Sequence, residues 1–141
     1  MIQSVAIIGA GNVGLYLFAA FMNRGINCRL FSRRASTEVE ALSNFTGDFD
    51  LCLICIPDDN IADLSAQLPI CKGIIAHSSG TVSLDAIAEK HPLRAIFYPP
   101  MSLRPDAQTP IEKITFCLEA KDPQSLEQLE EFCSQHQIPS A

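Results

Sequence analysis

The strongest chemical signal in the sequence lies near the start of the chain. Val5-Ala6-Ile7-Ile8-Gly9-Ala10-Gly11-Asn12-Val13-Gly14 places a G-x-G-x-x-G directly after an apolar, strand-like run and at the head of a helical one. Each glycine has its own physical reason: Gly9 permits a tight turn, Gly11 lets the backbone approach a pyrophosphate, and Gly14 lets the helix pack closely on the strand. Unpaired N–H groups at a helix start, together with the helix dipole, favour negative charge there, and Asn12 and Val13 are placed to supply such amides. The chemistry this predicts is binding of a dinucleotide's phosphates.

The next chemical signal concerns which nucleotide. In NAD-binding domains an Asp or Glu about 20 residues beyond the glycines accepts hydrogen bonds from the ribose hydroxyls, and it would repel a 2′-phosphate. Here the second apolar run ends in Phe31-Ser32-Arg33-Arg34. A hydroxyl and two guanidinium groups suit a phosphate, and a charge-assisted hydrogen bond contributes about 1.5–3 kcal/mol. The expected cofactor is therefore NADP(H), held through Gly9, Gly11, Asn12, Val13, Gly14, Ser32, Arg33 and Arg34.

Three further segments follow apolar runs, where an open α/β sheet presents its ligand. In Ile56-Pro57-Asp58-Asp59-Asn60 the backbone of Ile56 and Pro57 is expected to line the nucleotide groove, while Asp58 or Asp59 caps the following helix. His77-Ser78-Ser79-Gly80 offers hydroxyls that can hold a carboxylate, carbonyl or amide near a hydride, and Ser78 is counted with the cofactor contacts. His77, Ser78 and Ser79 are the candidates for catalysis, although a histidine at a strand end is more often structural. Tyr98-Pro99-Pro100-Met101-Ser102 is the third, with Tyr98 and Ser102 its polar members. His91 and His136 read as surface residues. Cys28, Cys52, Cys55 and Cys117 fall inside apolar runs and read as buried, unpaired hydrophobes. Residues three apart on a strand face opposite ways, so Cys52 and Cys55 cannot jointly hold a metal, and no metal site is expected.

The framework that carries these groups follows from the hydrophobic patterning. Strands are expected at Ser4–Ile8, Cys28–Phe31, Leu51–Ile56, Gly73–His77, Ala95–Tyr98 and Ile114–Leu118, and helices at Asn12–Asn23, Thr37–Ser43, Asn60–Gln67, Ser83–Glu89 and Pro123–Gln135. Ser83 is a helix cap, and Asp122 and Pro123 give the last helix its best boundary signals. Four prolines between Tyr98 and Ile114 predict a long loop, and Ile138–Ala141 suits the start of a strand or a linker. Apolar runs alternating with amphipathic stretches make the fold class α/β: a Rossmann-type doubly wound, mainly parallel sheet of about six strands with helices on both faces.

Composition narrows the classes. The chain has 141 residues, 48% hydrophobic and 18% charged, which suits one folded domain spanning residues 1–141. A net charge of −6 argues against nucleic acid as a partner. No apolar run approaches the roughly 20 residues a bilayer crossing needs, and Met1 leads into Val5-Ala6-Ile7-Ile8 without a secretory leader pattern, so no membrane association and a cytoplasmic location are expected.

With these residues in hand, the chain resembles a family of NADP-dependent oxidoreductases that carry a Rossmann-like domain, related to pyrroline-5-carboxylate reductase and deazaflavin-dependent NADP oxidoreductases. The resemblance covers nearly the whole chain and rests on Val5 to Gly14, Cys52 to Asn60, His77-Ser78-Ser79-Gly80 and Phe97-Tyr98-Pro99. It implies NADP binding through the residues named above, with His77 to Gly80 near the nicotinamide. It also implies a small-molecule substrate and a C-terminal helical domain, paired between subunits in a homodimer, that nothing after Ala141 supplies. Pro99-Pro100-Met101-Ser102-Leu103 departs from the family's Pro-Leu-Gln-Thr-Phe-Ser run, so substrate contacts do not carry over there. The expected function is the NADP-binding domain of an oxidoreductase moving hydride between NADP(H) and a small carbonyl or imine. The alternatives are a non-catalytic NADP(H)-sensing module and, on shared topology, an S-adenosylmethionine methyltransferase, which the complete glycine spacing and Arg33-Arg34 disfavour.

Overall fold

The computed structural model describes residues 1–106 and 109–141. β1 (Val5–Ile8) leads into α1 (Asn12–Asn23), followed by β2 (Cys28–Ser32), β3 (Val39–Ala41), β4 (Leu51–Ile54), α2 (Ile61–Gln67), β5 (Ile74–His77), β6 (Leu93–Tyr98), β7 (Cys117–Ala120) and α3 (Pro123–Gln135). The sheet has seven strands in the order β3-β2-β1-β4-β5-β6-β7. All neighbours are parallel except β6 and β7. Strand order reverses between β1 and β4, so a crevice opens beyond their carboxyl ends, where such sheets bind ligands. The fold is the expected Rossmann-type α/β arrangement, with one strand more than the sequence predicts.

The central strands are apolar throughout because both their faces are covered. On one face α1 and α3 bury Leu17, Phe21, Leu129 and Phe132 against Val5, Ile7, Leu51, Leu53 and Ala76. On the other, α2 brings Ile61 and Leu64 onto Ala6, Ile8, Cys52, Ile54 and Ile75. Cys52 and Cys55 fall in these two opposite cores, as their spacing requires. α3 begins as expected: the Asp122 carboxylate accepts the Ser125 N–H at 2.8 Å, with Pro123 in the first turn.

Thr37–Ser43 is not a helix: Val39–Ala41 adds a strand to the free edge of β2, pairing Leu30 with Val39 through Ser32 with Ala41, and a 3-10 turn follows at Leu42–Asn44. A seven-residue helix is marginal alone, whereas an open parallel edge offers backbone partners at once. Arg29 secures the addition, reaching Glu40 through two hydrogen bonds at 2.5 and 2.7 Å while lying 5.2 Å from the Phe31 ring centre. The expected helix at Ser83–Glu89 shrinks to a 3-10 turn at Leu84–Ala86, capped by Ser83, whose hydroxyl accepts the Asp85 N–H. β4 ends at Ile54, before Pro57. β7 starts at Cys117 rather than Ile114, and this cysteine is exposed. Phe116 instead forms a parallel bridge to Ser140, so the last residues run along the sheet's edge. The Tyr98–Ile114 stretch is mostly loop but holds a 3-10 turn at Ile111–Lys113, and Ala107 and Gln108 within it lie outside the described residues. Among the described residues no helix is long and apolar enough to cross a membrane.

His91 is fully buried, not a surface residue. Its Nδ1 accepts the Cys71 N–H at 3.1 Å and its Nε2–H donates to the Ser65 carbonyl at 2.7 Å, so the ring ties the end of α2 to the approach to β5. Burial lowers its pKa below the ordinary 6.5, because the charged ring would lose its hydration. A histidine depressed in the folded state contributes stability that is complete above 6.5 and is lost as the pH falls through the folded value. The urea midpoint should therefore drop between about pH 7.5 and pH 5, and His91→Gln should flatten that slope. An unchanged slope in the variant would remove His91 from the account.

Candidate dinucleotide site

The site begins with the turn between β1 and α1. The Gly9 N–H donates to the Phe31 carbonyl at 2.8 Å, and Gly9 adopts φ +113°, a left-handed conformation that L side chains rarely take. A Cβ on Gly9 would stand 2.2 Å from the Cys55 carbonyl oxygen, and one on Gly14 would stand 1.8 Å from the Gly9 carbonyl oxygen. These two glycines are needed by the protein itself. Gly11 differs, since a Cβ there meets nothing within 4 Å and would project into open space. That open cradle is the feature a pyrophosphate requires. Gly11 caps α1 without a side-chain bond, and no acidic residue occupies the first turn, so the positive end of the helix is uncompensated.

Two cavities share this turn. One, of about 330 Å³, is lined by Ile8 to Gly11, Ser32 and Arg33 on one side and by Cys55 to Pro57, Asn60 and Leu64 on the other, with Leu42 closing it. The second, of about 290 Å³, lies between Gly11, Asn12 and Val13 and the segments Cys55 to Asp58 and Ser78 to Ser79. Gly11, Cys55, Ile56 and Pro57 belong to both. Of the residues expected from sequence, Gly9, Gly11, Asn12, Val13, Ser32, Arg33, Ile56, Pro57, Ser78 and Ser79 line one cavity or the other. Gly14 acts from behind the turn, and Arg34 is exposed and lines neither.

His77 is held differently from the hydroxyls beside it. It is fully buried, its Nδ1 accepts the Ser79 N–H at 3.1 Å, and its Nε2–H donates to the Ser83 carbonyl at 3.3 Å. Burial lowers its pKa, so the ring is neutral and both its nitrogens are committed to the backbone. It shapes the loop that presents Ser78 and Ser79. Cys55 borders both cavities, but burial pushes its thiol up to about 12, which leaves no thiolate at neutral pH. Tyr98 packs its ring on Gly80, where a Cβ would come within 2.4 Å of the phenol ring.

Leu42, Asn60 and Leu64 line the first cavity without having been expected as contacts: Leu42 follows the unforeseen β3, Asn60 ends the 3-10 turn before α2, and Leu64 lies within α2. Asp58 or Asp59 is expected from sequence to cap the helix. Asp58 to Asn60 instead form a 3-10 turn with no side-chain cap bond, and Asp58, which lines the second cavity, accepts the Thr81 hydroxyl through Oδ2 at 2.9 Å.

The class defined by this geometry is a Rossmann-type α/β fold. Solved structures that share it include an assigned NADP oxidoreductase from Bacteroides fragilis (TM-score 0.84, 18% identity, 99% of this chain and 60% of that one). An arogenate dehydrogenase from Synechocystis aligns with a TM-score of 0.72 at 15% identity, over 98% of this chain and 58% of its own. An NADH-preferring ketol-acid reductoisomerase from an uncultured archaeon aligns at 0.77 and 13%, over 99% and 51%. The chain thus spans only half to three-fifths of these proteins. No family model and no curated protein matches it by sequence.

The glycines predict separable failures. Gly11→Ala should fold with an unchanged urea midpoint and lose at least about tenfold in dinucleotide affinity, while Gly14→Ala should lower the midpoint outright. Calorimetry and urea denaturation of both variants check this; a fully binding Gly11→Ala would move the pyrophosphate elsewhere.

Proposed function

We propose that this chain is the NADP(H)-binding domain of an oxidoreductase that moves hydride between the cofactor and a small carbonyl or imine compound. The observation that carries the reading is the open space over Gly11, flanked by the free amides of α1 and by two cavities of a size for the two halves of a dinucleotide. The fold it shares with several dehydrogenases and reductases supports the same class.

Residues in the cleft fit the cofactor's parts. The N–H groups of Asn12 and Val13 face a pyrophosphate, Leu42 and Leu64 offer apolar walls to a base, and Ser32 and Arg33 meet the ribose. At that ribose position the chain has no carboxylate, the group that would select NAD, so Arg33 favours the extra phosphate. The nicotinamide supplies the hydride, and the protein supplies orientation and electrostatics. On this reading a helical domain beyond residue 141, paired between two subunits, completes the substrate pocket.

A sensor of NADP(H) without turnover is the second reading. It is favoured by the state of the cleft, where Cys55 stays protonated and His77 is locked, leaving Asp58 as the ionisable group of the nicotinamide cavity. Substrate turnover by the longer protein separates the two.

Calorimetric titration with NADPH and NADH tests the cofactor assignment. NADPH should bind at least about tenfold more tightly, and Arg33→Ala should erase most of that preference while leaving NADH unchanged. Arg34→Ala should have the smaller effect. An equal loss for both cofactors in Arg33→Ala would defeat the 2′-phosphate assignment.

A further inference from the structure

At the nicotinamide end of the cleft the hydroxyl of Ser79 has an unusual hydrogen-bond balance. The backbone N–H groups of Thr81 and Val82 both donate to its Oγ, each at 3.2 Å. A hydroxyl has two acceptor lone pairs and one proton, so both lone pairs are used and only the proton remains to give. Ser79 is 8% exposed, and it borders the cavity that Asn12 and Val13 close from the other side. Its proton already has an acceptor among the described residues, the Thr81 hydroxyl oxygen at 3.3 Å, a bond that a ligand oxygen would have to share or take over. Thr81 spends its own proton on Asp58 Oδ2 at 2.9 Å. Ser79 is thus a fixed donor.

Asp58 is the opposite. A carboxylate only accepts, and Oδ1 of Asp58 takes no hydrogen bond among the described residues. It lines the same cavity as Ser79, with Thr81 linking the two loops that carry them. One fixed donor and one fixed acceptor on adjoining walls complement a primary carboxamide, which offers a carbonyl oxygen and an NH₂ group from a single carbon.

We propose that Ser79 and Asp58 recognise the carboxamide of the nicotinamide, the Ser79 hydroxyl donating to its oxygen and the Asp58 carboxylate accepting from its NH₂. The inference rests on the dinucleotide reading above and adds to it the pair that sets the orientation of the nicotinamide ring. It also explains why the Asp58–Thr81 bond spans the two loops: that bond keeps the acceptor at a fixed reach from the donor. The same arrangement discriminates chemically. A nicotinic acid ring carries a carboxylate, which cannot donate to Asp58 and is repelled by it. A 3-acetylpyridine ring keeps the carbonyl but loses the NH₂ group.

The test is calorimetric titration of the chain with NADP⁺, its nicotinic acid analogue, its 3-acetylpyridine analogue, and 2′,5′-ADP as a probe of the adenosine half alone. The unmodified chain should bind NADP⁺ about tenfold more tightly than the nicotinic acid analogue and about threefold to fivefold more tightly than the acetylpyridine analogue. Asp58→Asn, a change at an exposed position, should bring the nicotinic acid analogue to within about threefold of NADP⁺, because the variant's NH₂ can donate to it. Ser79→Ala should weaken NADP⁺ and the acetylpyridine analogue alike by about fivefold and leave 2′,5′-ADP unchanged. The analogue series on the unmodified chain stands even where Ser79→Ala loosens its loop. Tight NADP⁺ binding with equal affinity for all three dinucleotides would overturn the carboxamide assignment alone. Failure of both NADP⁺ and 2′,5′-ADP to bind would overturn the dinucleotide reading and this inference with it.

Discussion

The carbonyl oxygen of Gly9 occupies the place where a side chain at residue 14 would begin, 1.8 Å from an ideal Cβ. This contact sets how closely α1 approaches β1, and the rest of the structure depends on it. With the helix drawn in, its first amides meet the carboxyl end of β1 at the point where strand order reverses, and Gly9 tucks against the Cys55 carbonyl after β4. The cleft is the space left over when two adjacent strands send their connections to opposite faces of the sheet. Any side chain at Gly9 or Gly14 would reopen the turn, whereas Gly11 leaves the protein's own packing untouched and serves the cradle alone.

Behind the turn, the sheet is covered unevenly in kind. α1 and α3 share one face, while the opposite face carries α2 and a set of 3-10 turns. Short turns bury less apolar surface than a helix, and side-chain to backbone bonds make up part of the difference. His91 joins Ser65 to Cys71, and Ser65 Oγ accepts the Ala88 N–H at 3.0 Å. His77 performs the same service one strand end higher, between Ser79 and Ser83. Both rings are neutral because burial disfavours their charge, which makes them dependable donor and acceptor pairs for loops that lack ladder partners. The loops that border the second cavity are therefore held by buried side chains from beneath.

Charge is arranged with similar economy. Arg29 is spent on Glu40 at the sheet's edge, and Arg24 on Glu112 and the His136 carbonyl. Arg33, by contrast, faces the cleft beside Ser32 and Leu42. Arg33 takes its position from the end of β2, and the return of the chain through β3 brings Leu42 to the same cavity.

Legible from residue order alone are the strand-turn-helix unit at residues 5–23, the parallel α/β class, the capped start of α3 and the absence of an acid directly after β2. All of these are local, since each depends on neighbours within a few residues and on backbone preferences that a glycine, a proline or an apolar period states directly. Long-range packing alone settles that residues 39–41 pair as a strand, that His91 is buried, and that Asp58 meets Thr81 across 23 positions of chain. Residues 39–41 were drawn by an open sheet edge, and the other two by the stacking of strand ends from separate parts of the chain. Partners of that kind come from the sheet order, and no period or spacing in the sequence records it.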